Sequence, residues 1–83
     1  MKTYVVKDTI INLETEERQV YYTGVDGYVH DEKTLPFCDG YKFRKNAENK
    51  INKEVNYYTK IDGNHCLEGG KWFHHYEIVE VEK

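Results

Sequence analysis

Between residues 44 and 59 the apolar side chains recur at the period of an α-helix, and this one stretch limits what the rest of the chain can be. Stepping 100° per residue from Ala47, the side chains of Ile51, Val55 and Tyr58 fall within about 80° of it, on a single stripe. Phe43 lies near the same face, while Lys45, Asn49, Asn52, Lys53, Asn56 and Lys60 take the other. A helix with one narrow apolar stripe must lay it on another element. The flanking sequence reads as strands, so a sheet is the partner. No Ser, Thr or Asp cap stands at Arg44, which leaves the start of the helix less sharply marked than its phase.

Residues 3–13 alternate in part and are rich in β-branched side chains (Val5, Val6, Thr9, Ile10, Ile11), the signature of a strand. Residues 13–17 are polar and short enough for a hairpin turn, with 18–23 as the return strand. Gly24 and Asp26-Gly27 mark a tight turn, and 28–30 form a short third strand. Pro36 and Asp39-Gly40 break any regular element in 31–40. Asp62-Gly63 and Gly69-Gly70 punctuate a loop before a long last strand at 71–82. There Ile78-Val79 interrupts the alternation, so either both faces are partly covered or a bulge shifts the phase. The expected fold is α+β: an antiparallel sheet of three to four strands with one amphipathic helix packed on one face, in the order β-β-(β)-α-β. The 83 residues suffice for a single domain, 1–83.

Aliphatic side chains are scarce, and twelve aromatics, eight of them Tyr, make up the shortfall. Tyr supplies a large ring at little rotamer cost and keeps a polar tip, which is why it concentrates at protein–protein contacts. Tyr21 and Tyr22 are adjacent in a strand and must point to opposite faces. The same holds for neighbours between Trp72 and Tyr76. A helix on one face would leave aromatics on the other, so Tyr21, Tyr22, Trp72 and Tyr76 are the candidate protein-binding residues. The plain alternative is that these rings pack on each other or under the 31–40 loop.

The net charge is −3, but residues 41–60 hold six Lys/Arg against two Glu, giving +4 there and −7 elsewhere. So mild a net charge argues against electrostatic capture of DNA or a membrane surface. The basic stretch 44–60, with Lys45, Lys53 and Lys60 as phosphate contacts, carries the alternative reading of a small nucleic-acid-binding domain. Cys38, Cys66 and the four histidines are the right ligand types for zinc but lack Cys-x₂₋₄-Cys or His-x₃₋₅-His spacing. His74 and His75 point to opposite faces of a strand. No metal and no cofactor are therefore expected, and both thiols are expected reduced. His65-Cys66 is poor geometry for a nucleophile and its base, and Gly69-Gly70-Lys71 lacks the rest of a phosphate loop. The chain reads as a non-enzyme. Without a leader or an apolar span, the expected location is cytoplasmic, with no membrane partner.

Four phrases in order carry a resemblance: Thr3-Tyr4-Val5-Val6-Lys7-Asp8, Tyr21-Tyr22-Thr23-Gly24, Phe43…Ala47-Glu48…Ile51, and Tyr76-Glu77-Ile78-Val79-Glu80-Val81-Glu82. Together they resemble small orphan proteins encoded by bacteriophages and related mobile elements. The chain departs from that pattern around Pro36-Phe37-Cys38 and at Gly69-Gly70. The resemblance implies an accessory viral protein that binds and inhibits a host protein, including defence systems such as CRISPR. It brings no catalytic residues.

Overall fold

The computed structural model describes residues 1–82. Its spine is the pairing of the first long strand, β1 (Lys2–Asn12), with the last. The remaining elements follow in chain order: β2 (Arg18–Thr23), β3 (Val29–His30), a 3₁₀ turn at Leu35–Phe37, α1 (Arg44–Tyr57), β4 (Thr59–Asp62), β5 (His65–Glu68) and β6 (Trp72–Glu82). β1 and β6 run antiparallel in unbroken register from Lys2↔Glu82 to Asn12↔Trp72. All strands of the described residues join one antiparallel sheet, ordered β3-β2-β1-β6-β5-β4.

The fold is α+β as the sequence implies, but with six strands rather than three or four, in the order β-β-β-α-β-β-β. The additional pair is the β4–β5 hairpin. β4 is exposed along its whole length, so an apolar phase was never required of it. An edge strand held by main-chain hydrogen bonds can be polar on both faces. Asp62 makes the turn between them, its Oδ1 accepting the Asn64 N–H at 3.0 Å. The helix ends at Tyr57 because Tyr58 is already extended (φ −95°, ψ −168°) and leads directly into β4.

Each face of the sheet has its own core. On one side Ala47, Ile51 and Val55 of α1 pack onto Val6, Cys66 and Tyr76, with Tyr4, Tyr41, Tyr58 and Ile78 around them. On the other, the loop 31–40 covers Val5 and Tyr22 with Cys38 and Leu35, flanked by Val20, Val79 and Val81. Ile78 and Val79 thus serve opposite cores. The break in alternation reflects two covered faces rather than a bulge, since the β1–β6 register does not shift.

The chain changes faces at the end of the sheet. β2 stops opposite Val6, and Tyr41 takes its place beside Tyr4, exchanging hydrogen bonds of 2.8 and 2.7 Å. Gly24 lets this segment close in: a Cβ there would sit 2.1 Å from the Asp39 carbonyl oxygen. Glycine is required at that position for the loop to reach the end of β2.

The helix stripe carries a direct consequence. Ile51 is 7% exposed, so Ile51→Asp would put an unpaired carboxylate into the helix-side core and cost roughly 3 kcal/mol or more, enough to unfold a domain of this size. Lys53→Asp, on the exposed side, should change stability by about 0.5 kcal/mol at most. Thermal melts followed by circular dichroism compare the two. Equal midpoints would mean that the stripe faces the other way.

Candidate functional site

The helix-facing side of the central pair presents Val6, Asp8 and Ile10 from β1 against Ile78, Tyr76 and His74 from β6. α1 packs chiefly on β1, β4, β5 and β6, and the β2–β3 wing extends beyond it. Between helix and wing runs an open groove of about 560 Å³. Its sheet wall is Ile10, Tyr21, Thr23 and Val29; its helix wall is Lys50, Glu54 and Tyr58. Asp8, Glu68, His74 and Tyr76 line it as well.

His74 is 4% exposed, and both of its ring nitrogens meet carboxylates. Nδ1 donates to Asp8 at 3.0 and 3.1 Å, and Nε2 donates to Glu68 at 2.9 Å. Two acceptors require two N–H groups, so the ring is the imidazolium. Burial opposes that charge, but hydrogen bonding and charge from Asp8, then Glu68, outweigh it and hold the His74 pKa above the ordinary imidazole value. The rings of Tyr58 and Tyr76 stack parallel to His74, at centroid distances of 5.2 and 5.7 Å. Aromatic faces stabilise a cation further.

This arrangement is unsuited to proton-transfer catalysis. A general base needs a free lone pair aimed at substrate, and both His74 nitrogens are committed to carboxylates. The neighbouring nucleophile is equally quiet. Cys66 is fully buried, and burial, reinforced by the charges of Asp8, Glu54 and Glu68, pushes its thiol pKa up despite the contact with the Tyr76 hydroxyl at 3.9 Å. Burial also pushes the Tyr76 phenol up, so it stays protonated. The groove lining is three carboxylates facing one imidazolium and one ammonium. Lys50 is paired with Glu54 at 2.8 Å, which raises its pKa and keeps it charged.

The sequence-derived candidates divide sharply. Tyr21 and Trp72 are half-exposed on the same face, on either side of Ile10, with Trp72 continuing the groove beside Gln19 and Glu68. Tyr22 and Tyr76, expected as surface residues, are 7% and 3% exposed and belong to the two opposite cores. The 31–40 loop covers Tyr22, which offers no docking surface, and α1 covers Tyr76, which only backs the groove. Lys45 and Lys53 are exposed on α1, but Lys60 lies on β4 rather than the helix, and the neighbouring charges are balanced by Arg44–Glu48 and Lys50–Glu54 pairs.

His74 and His75 do point to opposite faces. His75 joins an exposed chain in which Asp62 meets His65 (2.6 Å), His65 meets His75 (2.8 Å) and His75 meets Glu77 (3.0 Å). Neither cysteine is in a disulfide, and the two lie in separate cores. Sequence reasoning missed Asp8, Glu68, Val29 and Glu54. Asp8 did leave a signal: an acid in phase with Tyr4, Val6 and Ile10 sits on the apolar side of its strand and needs a buried partner.

Comparison with protein-family models, with curated proteins and with solved structures finds no match for this chain. Among the described residues, no helix is long and apolar enough to cross a membrane.

The buried imidazolium has a pH signature. Its folded pKa is raised, so its contribution to stability is complete below the unfolded value of about 6.5 and is lost as pH rises through the folded value. Urea denaturation of the native protein and of His74→Gln should therefore show the largest stability difference near the acid end of a series from about pH 6 to 9, shrinking toward the alkaline end. A difference that stays constant across the series would place a neutral ring at His74.

Proposed function

We propose that this protein is a non-enzymatic binding domain that captures a partner protein in the groove between α1 and the β2–β3 wing. The observation that carries this reading is the uncovered wing itself. Tyr21, Ile10, Val29 and Trp72 line continuous recesses on the helix-facing side of the sheet. Val25, Tyr28 and Val29 beside them are 64%, 72% and 65% exposed. So many large apolar groups within one edge segment mark a contact surface rather than an ordinary solvated one. The carboxylates of Asp8, Glu54 and Glu68 outnumber Lys50 and the His74 imidazolium, so the fitting occupant is an apolar segment that carries a lysine or arginine. The fixed Asp8–His74–Glu68 centre favours binding over chemistry, because it is rigid and offers no free catalytic nitrogen.

The biological setting in this proposal is that of a phage or mobile-element accessory protein acting on a host protein in the cytoplasm, as an inhibitor of a host process such as CRISPR defence. The resemblance in sequence order is its support. Nucleic-acid binding is the weaker reading, since Lys60 is separated from Lys45 and Lys53 by a change of element and the aromatic rings lie in an acidic groove.

Affinity capture from a host lysate, with the captured species identified and the complex rebuilt from purified components, tests this reading. Binding should persist in moderately high salt and fall about tenfold or more in Tyr21→Ala and in Val29→Asp, as loss of a contact anchor does. Changing Lys45, Lys53 and Lys60 together to Glu should leave it intact. Retention that instead depends on those lysines and vanishes as salt rises, the behaviour of phosphate neutralisation, would make nucleic acid the partner.

A further inference from the structure

Three stretches of chain converge at the outer end of the β2–β3 wing: the turn after Gly24, strand β3, and the segment leaving the 3₁₀ turn. Asp26, His30 and Cys38 each bring one ligand atom to this point, and the three atoms lie within 4.8 Å of one another. Asp26 Oδ2 and His30 Nε2 are 3.1 Å apart, their side chains 12% exposed, and Cys38 is fully buried. Ligands about 2.0–2.3 Å from a tetrahedral zinc stand roughly 3.3–3.8 Å from each other, so small side-chain rotations bring this set into range.

We propose that Asp26, His30 and Cys38 bind one zinc ion, with water as the fourth ligand. A sulfur, an imidazole nitrogen and one carboxylate suit zinc; calcium and magnesium would require an all-oxygen set. Binding releases the Cys38 thiol proton, and His30 coordinates through Nε2 while its remaining proton sits on Nδ1. The carboxylate is already oriented for the task. Asp26 Oδ1 accepts the Tyr28 N–H at 3.0 Å and Oδ2 the Asp39 N–H at 3.1 Å, outer contacts of the kind that fix metal ligands. Gly24 completes the pocket: a Cβ there would lie 3.0 Å from Cys38 Sγ.

Sequence spacing hides this set. Positions 26, 30 and 38 follow no knuckle pattern, because β3 and the 3₁₀ turn, rather than a tight two-residue loop, bring them together. A zinc ion there would cross-link the loop that covers Tyr22 to the edge strand β3, which carries Val29. The site rests on ligand geometry and stands independently of what the groove binds.

The full-length protein, stripped with chelator and then titrated with zinc, should take up one equivalent, as read by calorimetry and elemental analysis, and melt at a higher temperature. Cobalt should give tetrahedral d–d bands together with a thiolate charge-transfer band in the near ultraviolet. His30→Gln and Asp26→Asn should each weaken zinc binding about tenfold or more while the far-ultraviolet spectrum stays native. Cys38→Ser should lose the charge-transfer band. Because Cys38 is a core residue, the His30 variant decides the matter if Cys38→Ser is unfolded. The proposal is overturned if zinc and cobalt do not bind, if binding survives His30→Gln unchanged, or if it is abolished by His65→Gln or His75→Gln instead.

Discussion

Everything in this fold depends on the pairing of β1 with β6. These strands come from opposite ends of the chain, and their eleven-residue ladder from Lys2↔Glu82 to Asn12↔Trp72 has no shift in it. Long-range pairing of this kind closes a large loop before any contact rewards it. Once made, it gives the intervening chain two clean faces. The loop 31–40 covers one and α1 the other, and the cores on the two sides share no buried residue. Val5 and Val6, adjacent in β1, are 0% and 1% exposed because each belongs to a different core. Little redundancy remains in so small a protein, since each core has its own single cover.

The same ladder creates the polar centre. Asp8 and His74 lie on the same face of β1 and β6, two residues apart in register, which lets Nδ1 reach the carboxylate diagonally. Glu68 arrives from β5 on the far side of His74. A lone buried charge would be costly, whereas an imidazolium bridged by two carboxylates and stacked against two tyrosines is satisfied at both nitrogens. Among the described residues no buried side-chain nitrogen or oxygen lacks a hydrogen-bond partner. Removing one member would therefore strand the others, so the centre specifies how β1, β5 and β6 meet.

What could be read from sequence follows from how local each signal is. The helix phase was legible because Ala47, Ile51 and Val55 encode it within nine residues, and all three are buried. The split of His74 from His75 was legible because strand alternation is a two-residue rule. Strand order was not, because the antiparallel signal in β1 does not say whether β2 is its only neighbour. β4 and β5 were illegible for a different reason: an exposed edge strand such as Thr59–Asp62 carries no apolar alternation to detect. Tyr22 and Tyr76 were misplaced because composition shows that tyrosines are plentiful, while only the position of the 31–40 loop and of α1 decides which of them are covered. Asp26, His30 and Cys38 come together through β3 and a 3₁₀ turn, a path that no spacing rule describes.

The open groove is itself a consequence of sheet width. Six strands about 4.8 Å apart span roughly 24 Å from edge to edge, and one helix about 10 Å across can cover less than half of that. Some of the helix-facing side must remain bare in any chain with this element list. Most solvated sheet faces are lined with Lys, Glu, Thr or Ser. Here the bare strip carries Tyr21 and Val29 on the wing and Ile10 on β1, with Trp72 beyond them, Gln19 and Thr23 among them, and the Asp8–His74–Glu68 centre along one side. Apolar walls around a few fixed polar groups are how a recess gains both affinity and orientation for what it binds. The width of the sheet leaves this strip bare, and the residues placed there give it apolar walls beside a charged centre.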